Sequence, residues 1–95
     1  MAAYLIARVE VTNPDAYESY KKLAAAAIAK YDGRYLARGG NMETLEGDEE
    51  SRRVVIVAFP TLEQAKKFYA SPEYQEAKDA REGAAQGQFV IVDGI

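Results

Sequence analysis

The stretch that decides the fold is VVIVAFPTLEQAKKFYASPEYQEAKDAR, residues 54–81. It begins with an apolar strand, VVIVAF, and continues into two helix starts. Thr61 and Gln64 have the spacing of a capping box, so they predict the beginning of one helix. Ser71-Pro72 ends that helix and begins another, because a serine hydroxyl can accept from free amides and proline suits the first helical position. The stretch therefore predicts a strand followed by a pair of helices.

A strand and a long helix precede this stretch. Residues 4–12 alternate between two sets of side chains, which is the period of a strand. Asn13 can cap the free amides of the following helix, and Pro14 fits its first position. Asp32-Gly33 ends the helix, and we expect Gly33 to take the left-handed conformation that closes it.

Two further strands complete the order. Residues 34–38 predict a strand that is interrupted at Gly39-Gly40, a pair typical of a bulge or bend, and that resumes over residues 42–45. Residues 89–93 predict the last strand. The order strand, helix, strand, strand, helix pair, strand predicts an α+β, ferredoxin-like β-α-β-β-α-β fold with a four-stranded antiparallel sheet. Residues 1–95 form one domain, because so short a chain cannot support two cores.

Both faces of the predicted sheet are apolar. In the third strand, Val54 and Ile56 alternate with Val55 and Val57. A ferredoxin-like sheet has helices on one face only, so its other face would expose more apolar surface than a monomer usually shows. The simplest cover is a second copy of the chain, and the sequence therefore predicts a homodimer.

Composition excludes several classes of function. The chain has no cysteine and no histidine, which removes the thiolate nucleophile, the commonest general base and the usual zinc and haem ligands. We therefore predict no metal and no cofactor. A net charge of −3 disfavours a nucleic-acid partner, which needs clustered Lys and Arg. No apolar run could span a bilayer and the first residues are typical of a strand rather than a signal peptide, so we expect no membrane partner and a cytoplasmic location.

Four segments carry a resemblance to a known family. They are AYLIARVEVTNPDAYESY, DGRYLARGG, VVIVAFPTLEQAKKFYASPEYQEAK and AREGAAQGQFVIVDGI. In this order and spacing they resemble the family catalogued as domain of unknown function 1330, over nearly the whole chain. That family is similar to the dimeric α+β barrel superfamily, in which two ferredoxin-like sheets pack face to face. The resemblance implies a dimeric α+β barrel. It leaves the activity open, since the superfamily includes cofactor-free monooxygenases, haem-degrading enzymes, lactone isomerases and ligand-binding regulators.

Arg38 is the first candidate for ligand binding. It stands beside Gly39, which permits close approach of the backbone. A guanidinium in such a place could hold a carboxylate, enolate or phosphate in a bidentate manner. The alternative is a structural ion pair with a nearby acidic residue: Glu43, Asp79 or Glu82.

Three tyrosines and a second arginine are further candidates. Arg81 follows Tyr74 by two helical turns and so shares its helix face, while Tyr20 and Tyr69 lie on the inward stripes of the two preceding helices. A phenol with its ordinary pKa of about 10 is a poor base, so these hydroxyls would donate hydrogen bonds to a developing oxyanion. The alternative is that the tyrosines are core aromatics and that Arg81 extends to the surface.

Two functions follow from these residues. The first is a pocket between sheet and helices that binds a small anionic or aromatic molecule and supports cofactor-independent proton transfer or monooxygenase-type chemistry. The second is a non-catalytic dimeric binding or assembly module whose aromatics fill the core. A pocket of about 300 Å³ or more would favour the first, and a filled space would favour the second.

Overall fold

The computed structural model describes residues 1–95 and has seven elements. They are β1 (Ala3–Val11), α1 (Pro14–Lys30), β2 (Arg34–Arg38), β3 (Arg53–Phe59), α2 (Leu62–Ala70), α3 (Pro72–Arg81) and β4 (Ala85–Asp93). This order confirms the predicted α+β, ferredoxin-like fold. None of the three helices combines the length and the apolar character that crossing a bilayer requires.

The four strands form one antiparallel sheet in the order β2-β3-β1-β4. In the central strand β1, Leu5 pairs with Val57 of β3 and with Ile91 of β4. Paired residues point to the same face of a sheet, and Leu5 and Val57 belong to the buried core beneath the helices. We call this side of the sheet the covered face.

The opposite side, which we call the open face, is also apolar. The side chains that alternate with the covered ones include those of Tyr4, Ile6, Val54, Ile56 and Val90. Tyr4, Ile6, Val54 and Ile56 are half-buried, and Val90 is exposed. The prediction that both faces are apolar is therefore confirmed, and no helix of the chain packs on the open face.

The helices begin at the predicted caps. Asn13 Oδ1 accepts from the backbone nitrogen of Ala16 at 3.2 Å, and Thr61 Oγ1 accepts from that of Gln64 at 3.0 Å. The side chain of Gln64, however, donates to the carbonyl oxygen of Tyr31 at 3.1 Å. Only half of the capping box is formed, because Gln64 instead joins the start of α2 to the end of α1.

Ser71 joins α2 to α3. Its buried hydroxyl donates to the carbonyl oxygen of Phe68 at 2.6 Å and accepts from the backbone nitrogen of Tyr74 at 3.1 Å. One side chain thus satisfies a backbone group at the end of one helix and another at the start of the next. The two short helices are therefore coupled without a connecting loop.

The end of α1 differs from the prediction. Asp32, with φ of 65°, takes the left-handed conformation that was expected of Gly33. Asp32 and Gly33 then donate to the carbonyls of Ala29 and Ile28 at 3.2 and 2.8 Å, which is the pattern of a Schellman motif. Gly33 is needed for space, since a Cβ at this position would lie 2.7 Å from the ring of Phe59.

The predicted strand over residues 42–45 is also wrong, because these residues belong to a loop. Gly39, with φ of 68°, turns the chain at the end of β2. The hydroxyl of Thr44 accepts from the backbone nitrogen of Glu50 at 2.9 Å, so the loop bonds to itself instead of extending the sheet.

β2 is interrupted at Gly39 as predicted, where the chain bends, and a register shift also lies inside the strand. Tyr35 pairs with Val57 and Ala37 with Ile56, so the register shifts at the residue between them. Arg38 consequently pairs with Val55, a residue of the covered face. Because of this bulge, Tyr35 and Arg38 lie on the same face although they are three positions apart.

Candidate functional site

A cavity lies between the covered face of the sheet and the helices. Its wall comes from all four strands and all three helices, and 13 of its 16 residues are hydrophobic. The enclosed volume is about 40 Å³, which holds about two or three water molecules. No aspartate or glutamate lines it. The space is thus largely filled by side chains, as the second hypothesis expects.

Two buried tyrosines meet in this cavity. The hydroxyls of Tyr20 on α1 and Tyr74 on α3 are 3.0 Å apart. Burial raises the pKa of both phenols, and the neighbouring hydroxyl of Tyr74 raises that of Tyr20 further. Both are therefore protonated at neutral pH. Each hydroxyl has only the other as its protein partner, so one of the two protons remains available to an acceptor in the cavity.

Arg81 lies behind this pair and does not line the cavity. Its guanidinium carbon is 4.6 Å from the ring centroid of Phe89 and 5.3 Å from that of Tyr20. The side chain is 8% exposed, its Nε has no hydrogen-bond partner, and it makes no ion pair. A cation in this position would stabilise negative charge that develops on an atom near Tyr20.

Arg38 lies at the mouth of the cavity. It is exposed, and its guanidinium carbon is 4.4 Å from the ring centroid of Tyr35, which also lines the cavity. Its side chain makes none of the ion pairs considered from the sequence, because the ion pairs of the structure join other residues. The guanidinium is therefore available to an anion that approaches the mouth.

The other two candidates lie outside the cavity. Tyr69 is half-buried on α2 and borders a separate apolar groove beside Ile91 of β4. Its ring centroid is 5.0 Å from that of Tyr74. Gly39 lies against the guanidinium of Arg53, with which a Cβ at this position would overlap. The structure thus brings Tyr20, Tyr74 and Arg38 to one cavity.

Four residues of the cavity wall with polar groups were not among the candidates from the sequence: Tyr17, Lys21, Tyr35 and Arg53. Burial raises the pKa of Tyr17, and the guanidinium of Arg53 opposes that rise. Arg53 could have been found from the alternation of β3, because residues 53, 55 and 57 are two positions apart and therefore point to the same face of the sheet. Tyr35 gave no signal, since its face depends on the bulge that follows it.

The family model described as "Domain of unknown function (DUF1330)" matches residues 2–95. No curated protein is significantly similar to the sequence.

Several solved structures share the fold. A protein of unknown function from Rhodopseudomonas palustris has a TM-score of 0.74 and 19% identity, over 99% of this chain and 82% of that chain. SnoaB, a cofactor-independent oxygenase from Streptomyces nogalater, has a TM-score of 0.71 and 17% identity, over 99% and 93%. A dimeric protein of unknown function and ferredoxin-like fold from Bacteroides fragilis has a TM-score of 0.68 and 17% identity, over 98% and 96%. At these identities the likeness shows the fold alone.

Proposed function

The chain belongs to the family of domain of unknown function 1330, and on that premise we propose that it is a homodimer that binds a small anionic or aromatic molecule in the cavity between sheet and helices. The observation that carries this proposal is the charge of the cavity wall. Arg38 and Arg53 line it, and no carboxylate does. A site built in this way attracts an anion and has no acidic group to repel one.

The rest of the wall favours an aromatic ligand. Tyr17, Tyr20 and Phe68 present rings to the cavity, and aromatic rings pack well against one another in offset or edge arrangements. The available hydroxyl proton of the Tyr20–Tyr74 pair would be donated to an oxygen of the ligand. The same donor would stabilise an enolate or phenolate. Cofactor-independent proton transfer or monooxygenase-type chemistry is therefore the activity we propose, and the fold of SnoaB supports it.

Entry of such a ligand requires the mouth to open. The enclosed 40 Å³ is smaller than an aromatic ring, but the members of the wall next to solvent are side chains of the edge strand β2. Arg38 is exposed and Tyr35 is half-buried. Rotation of this stacked pair would enlarge the mouth and would change packing only at the edge of the core, against which Tyr35 lies.

The homodimer is supported by the open face. Its apolar side chains, including Ile6, Ile56 and Val90, have no cover within the chain. The neighbour from Bacteroides fragilis, which has the same fold, is dimeric. Packing two open faces together would bury these side chains and form the dimeric α+β barrel.

The pocket is tested by replacing Arg38 with alanine. Phenol, benzoate and 4-hydroxybenzoate are titrated into the protein, with binding followed by NMR shifts of tyrosine ring protons. We expect Arg38→Ala to lose most of the affinity for the two carboxylates while the protein stays folded and dimeric. Arg34→Ala is the matched control, because Arg34 is an exposed arginine of the same strand that pairs with Ala58 on the open face. Unchanged carboxylate affinity in Arg38→Ala would contradict the role of Arg38 in the pocket.

The second candidate function is a dimeric assembly module without a ligand. The observation in its favour is the small volume of the cavity. This candidate predicts that none of the three probes binds at millimolar concentration and that the dimer dissociates only when the chain unfolds. Light scattering on serial dilution measures the second property.

A further inference from the structure

Arg53, the first residue of β3, points into the cavity. It pairs with Val9 of β1, whose side chain is buried on the covered face. The arginine therefore lies among core residues at the end of the strand, and its side chain lines the cavity. Its Nε is buried and has no hydrogen-bond partner.

The guanidinium of Arg53 lies beside Gly39 and near Tyr17. Nη1 lies close to where a Cβ of Gly39 would be, and Gly39 has the left-handed φ of 68° that glycine tolerates best. On the cavity side, Arg53 is close enough to Tyr17 to oppose the rise that burial causes in the pKa of that phenol. The guanidinium thus lies between the backbone of Gly39 and the hydroxyl of Tyr17.

No carboxylate forms an ion pair with Arg53; the pKa of Glu18 on α1 is lowered chiefly by the hydrogen bond from Lys21 and least by Arg53. Arg53 borders an open polar groove that contains Glu10 and Glu50, but it forms an ion pair with neither. Its neighbour Arg52 does pair with Glu50, at 3.0 Å. The chain has 15 acidic residues, so the missing partner does not reflect a shortage of carboxylates. Arg53 as a whole is half-buried, but its Nε is buried and unpaired. A buried donor without a partner is costly, and an anion from outside that accepts from it would remove this cost.

We propose that Arg53 determines the specificity of the cavity by binding the carboxylate of an aromatic acid. This inference rests on the proposed function and names its ligand class: planar aromatic carboxylates with a second oxygen on the ring. The fork of a guanidinium matches the two oxygens of a carboxylate. The hydroxyl pair Tyr20–Tyr74 supplies the donor for the ring oxygen. The apolar wall disfavours inorganic phosphate, because phosphate has no apolar surface that could be buried against it.

The test is the ratio of two affinities in four proteins. Dissociation constants for 4-hydroxybenzoate and for phenol are measured by NMR titration at pH 7 in the wild type, Arg53→Gln, Arg53→Lys and the control Arg52→Gln. In the wild type we expect the acid to bind at least about tenfold more tightly than phenol. Arg53→Gln should remove this preference and leave the affinity for phenol within about twofold. Arg53→Lys keeps the charge but not the fork, so it should retain only part of the preference.

The outcomes separate this inference from the proposed function. If the wild type binds phenol and the acid equally, or if Arg53→Gln keeps the preference, the inference is overturned and the pocket stands. If neither compound binds, the proposed function fails, and the inference fails with it. Binding of inorganic phosphate with the affinity of the acid would overturn the choice of ligand class. Should Arg53→Gln not fold, as judged by circular dichroism, the ratio in Arg53→Lys decides.

Discussion

On the covered face of the sheet Arg53 lies among apolar side chains without an ion pair, whereas on the open face Arg8 is paired with Glu50, Nε to Oε1, at 3.2 Å. Both arginines stand on central strands, and both faces are largely apolar. The difference lies in the loop before β3, which supplies a carboxylate to one face and not to the other. An arginine without an ion pair beside a cavity is typical of a binding site. An arginine whose charge is paired, at the rim of an apolar face, is suited to an interface.

Adjacent residues of β1 provide the strongest way to separate the two faces. Leu5 is buried on the covered face and Ile6 is half-buried on the open one. Leu5→Ala should lower the free energy of unfolding by about 2–5 kcal/mol, since it leaves a cavity in the core. Ile6→Ala should instead weaken the dimer, so that its dissociation constant, measured by analytical ultracentrifugation, rises more than that of Leu5→Ala. An Ile6→Ala dimer as tight as the wild type would show that the open face is not the interface.

The hydroxyl pair tests the interior of the covered side. Tyr74→Phe leaves the buried hydroxyl of Tyr20 without a protein partner, and we expect a loss of about 1–3 kcal/mol in the free energy of unfolding. The double variant Tyr20→Phe/Tyr74→Phe should recover most of this loss, because no hydroxyl is then left unpaired. Urea denaturation of the two single variants and the double variant completes the cycle. Strictly additive losses would mean that the two hydroxyls do not depend on each other.

The smallest effect concerns the helical layer above the covered face. The carboxylate of Glu73 on α3 accepts from Lys30 Nζ at 2.6 Å and from the Tyr31 hydroxyl at 2.9 Å. These hydrogen bonds, chiefly that from Lys30, lower the pKa of Glu73 to about 2 from the ordinary 4.5.

Because the folded-state pKa of Glu73 is depressed, its contribution to stability is complete above about pH 4.5 and is lost as the pH falls toward 2. Glu73→Gln should therefore flatten the acid limb of the stability profile, measured by urea denaturation from pH 7 to pH 2.5. Glu76→Gln, an exposed and unpaired position of the same helix, is the control. If the free energy of unfolding falls equally steeply with decreasing pH in both variants, Glu73 does not contribute to the acid sensitivity.

Local signals in the sequence predicted the elements of the fold well. Asn13, Thr61 and Ser71 are caps because short-range geometry decides where a helix begins, and that geometry can be read from a few neighbouring residues. The left-handed residue at the end of α1 was assigned to Gly33 rather than to Asp32. The error arose because Gly33 is required by the ring of Phe59, a contact from a distant strand.

The site was less predictable than the fold. Tyr20 and Tyr74 were recognised as inward residues, but their hydroxyl contact joins positions 54 apart in the chain. Arg53 was missed although its parity indicated the covered face. The volume of the cavity depends on how side chains from seven elements fill it together, and no local pattern determines that quantity.

The bulge in β2 makes the length of this strand a determinant of the site. With the bulge, Arg38 pairs with Val55; in a regular ladder continued from the Tyr35–Val57 pair it would pair with Val54, on the open face. Deleting Leu36 would remove the bulge and leave Arg38 opposite Val55, whereas one further residue inserted between Tyr35 and Arg38 beside the bulge would place Arg38 opposite Val54. The insertion would thus transfer a cation from the mouth of the cavity to the opposite surface. Among relatives of this protein, one inserted residue at this point of the strand would redistribute charge between the two sides of the sheet without any substitution there. A change of one codon in length would then remove a positive charge from one side of the sheet and add it to the other, which would otherwise take two substitutions.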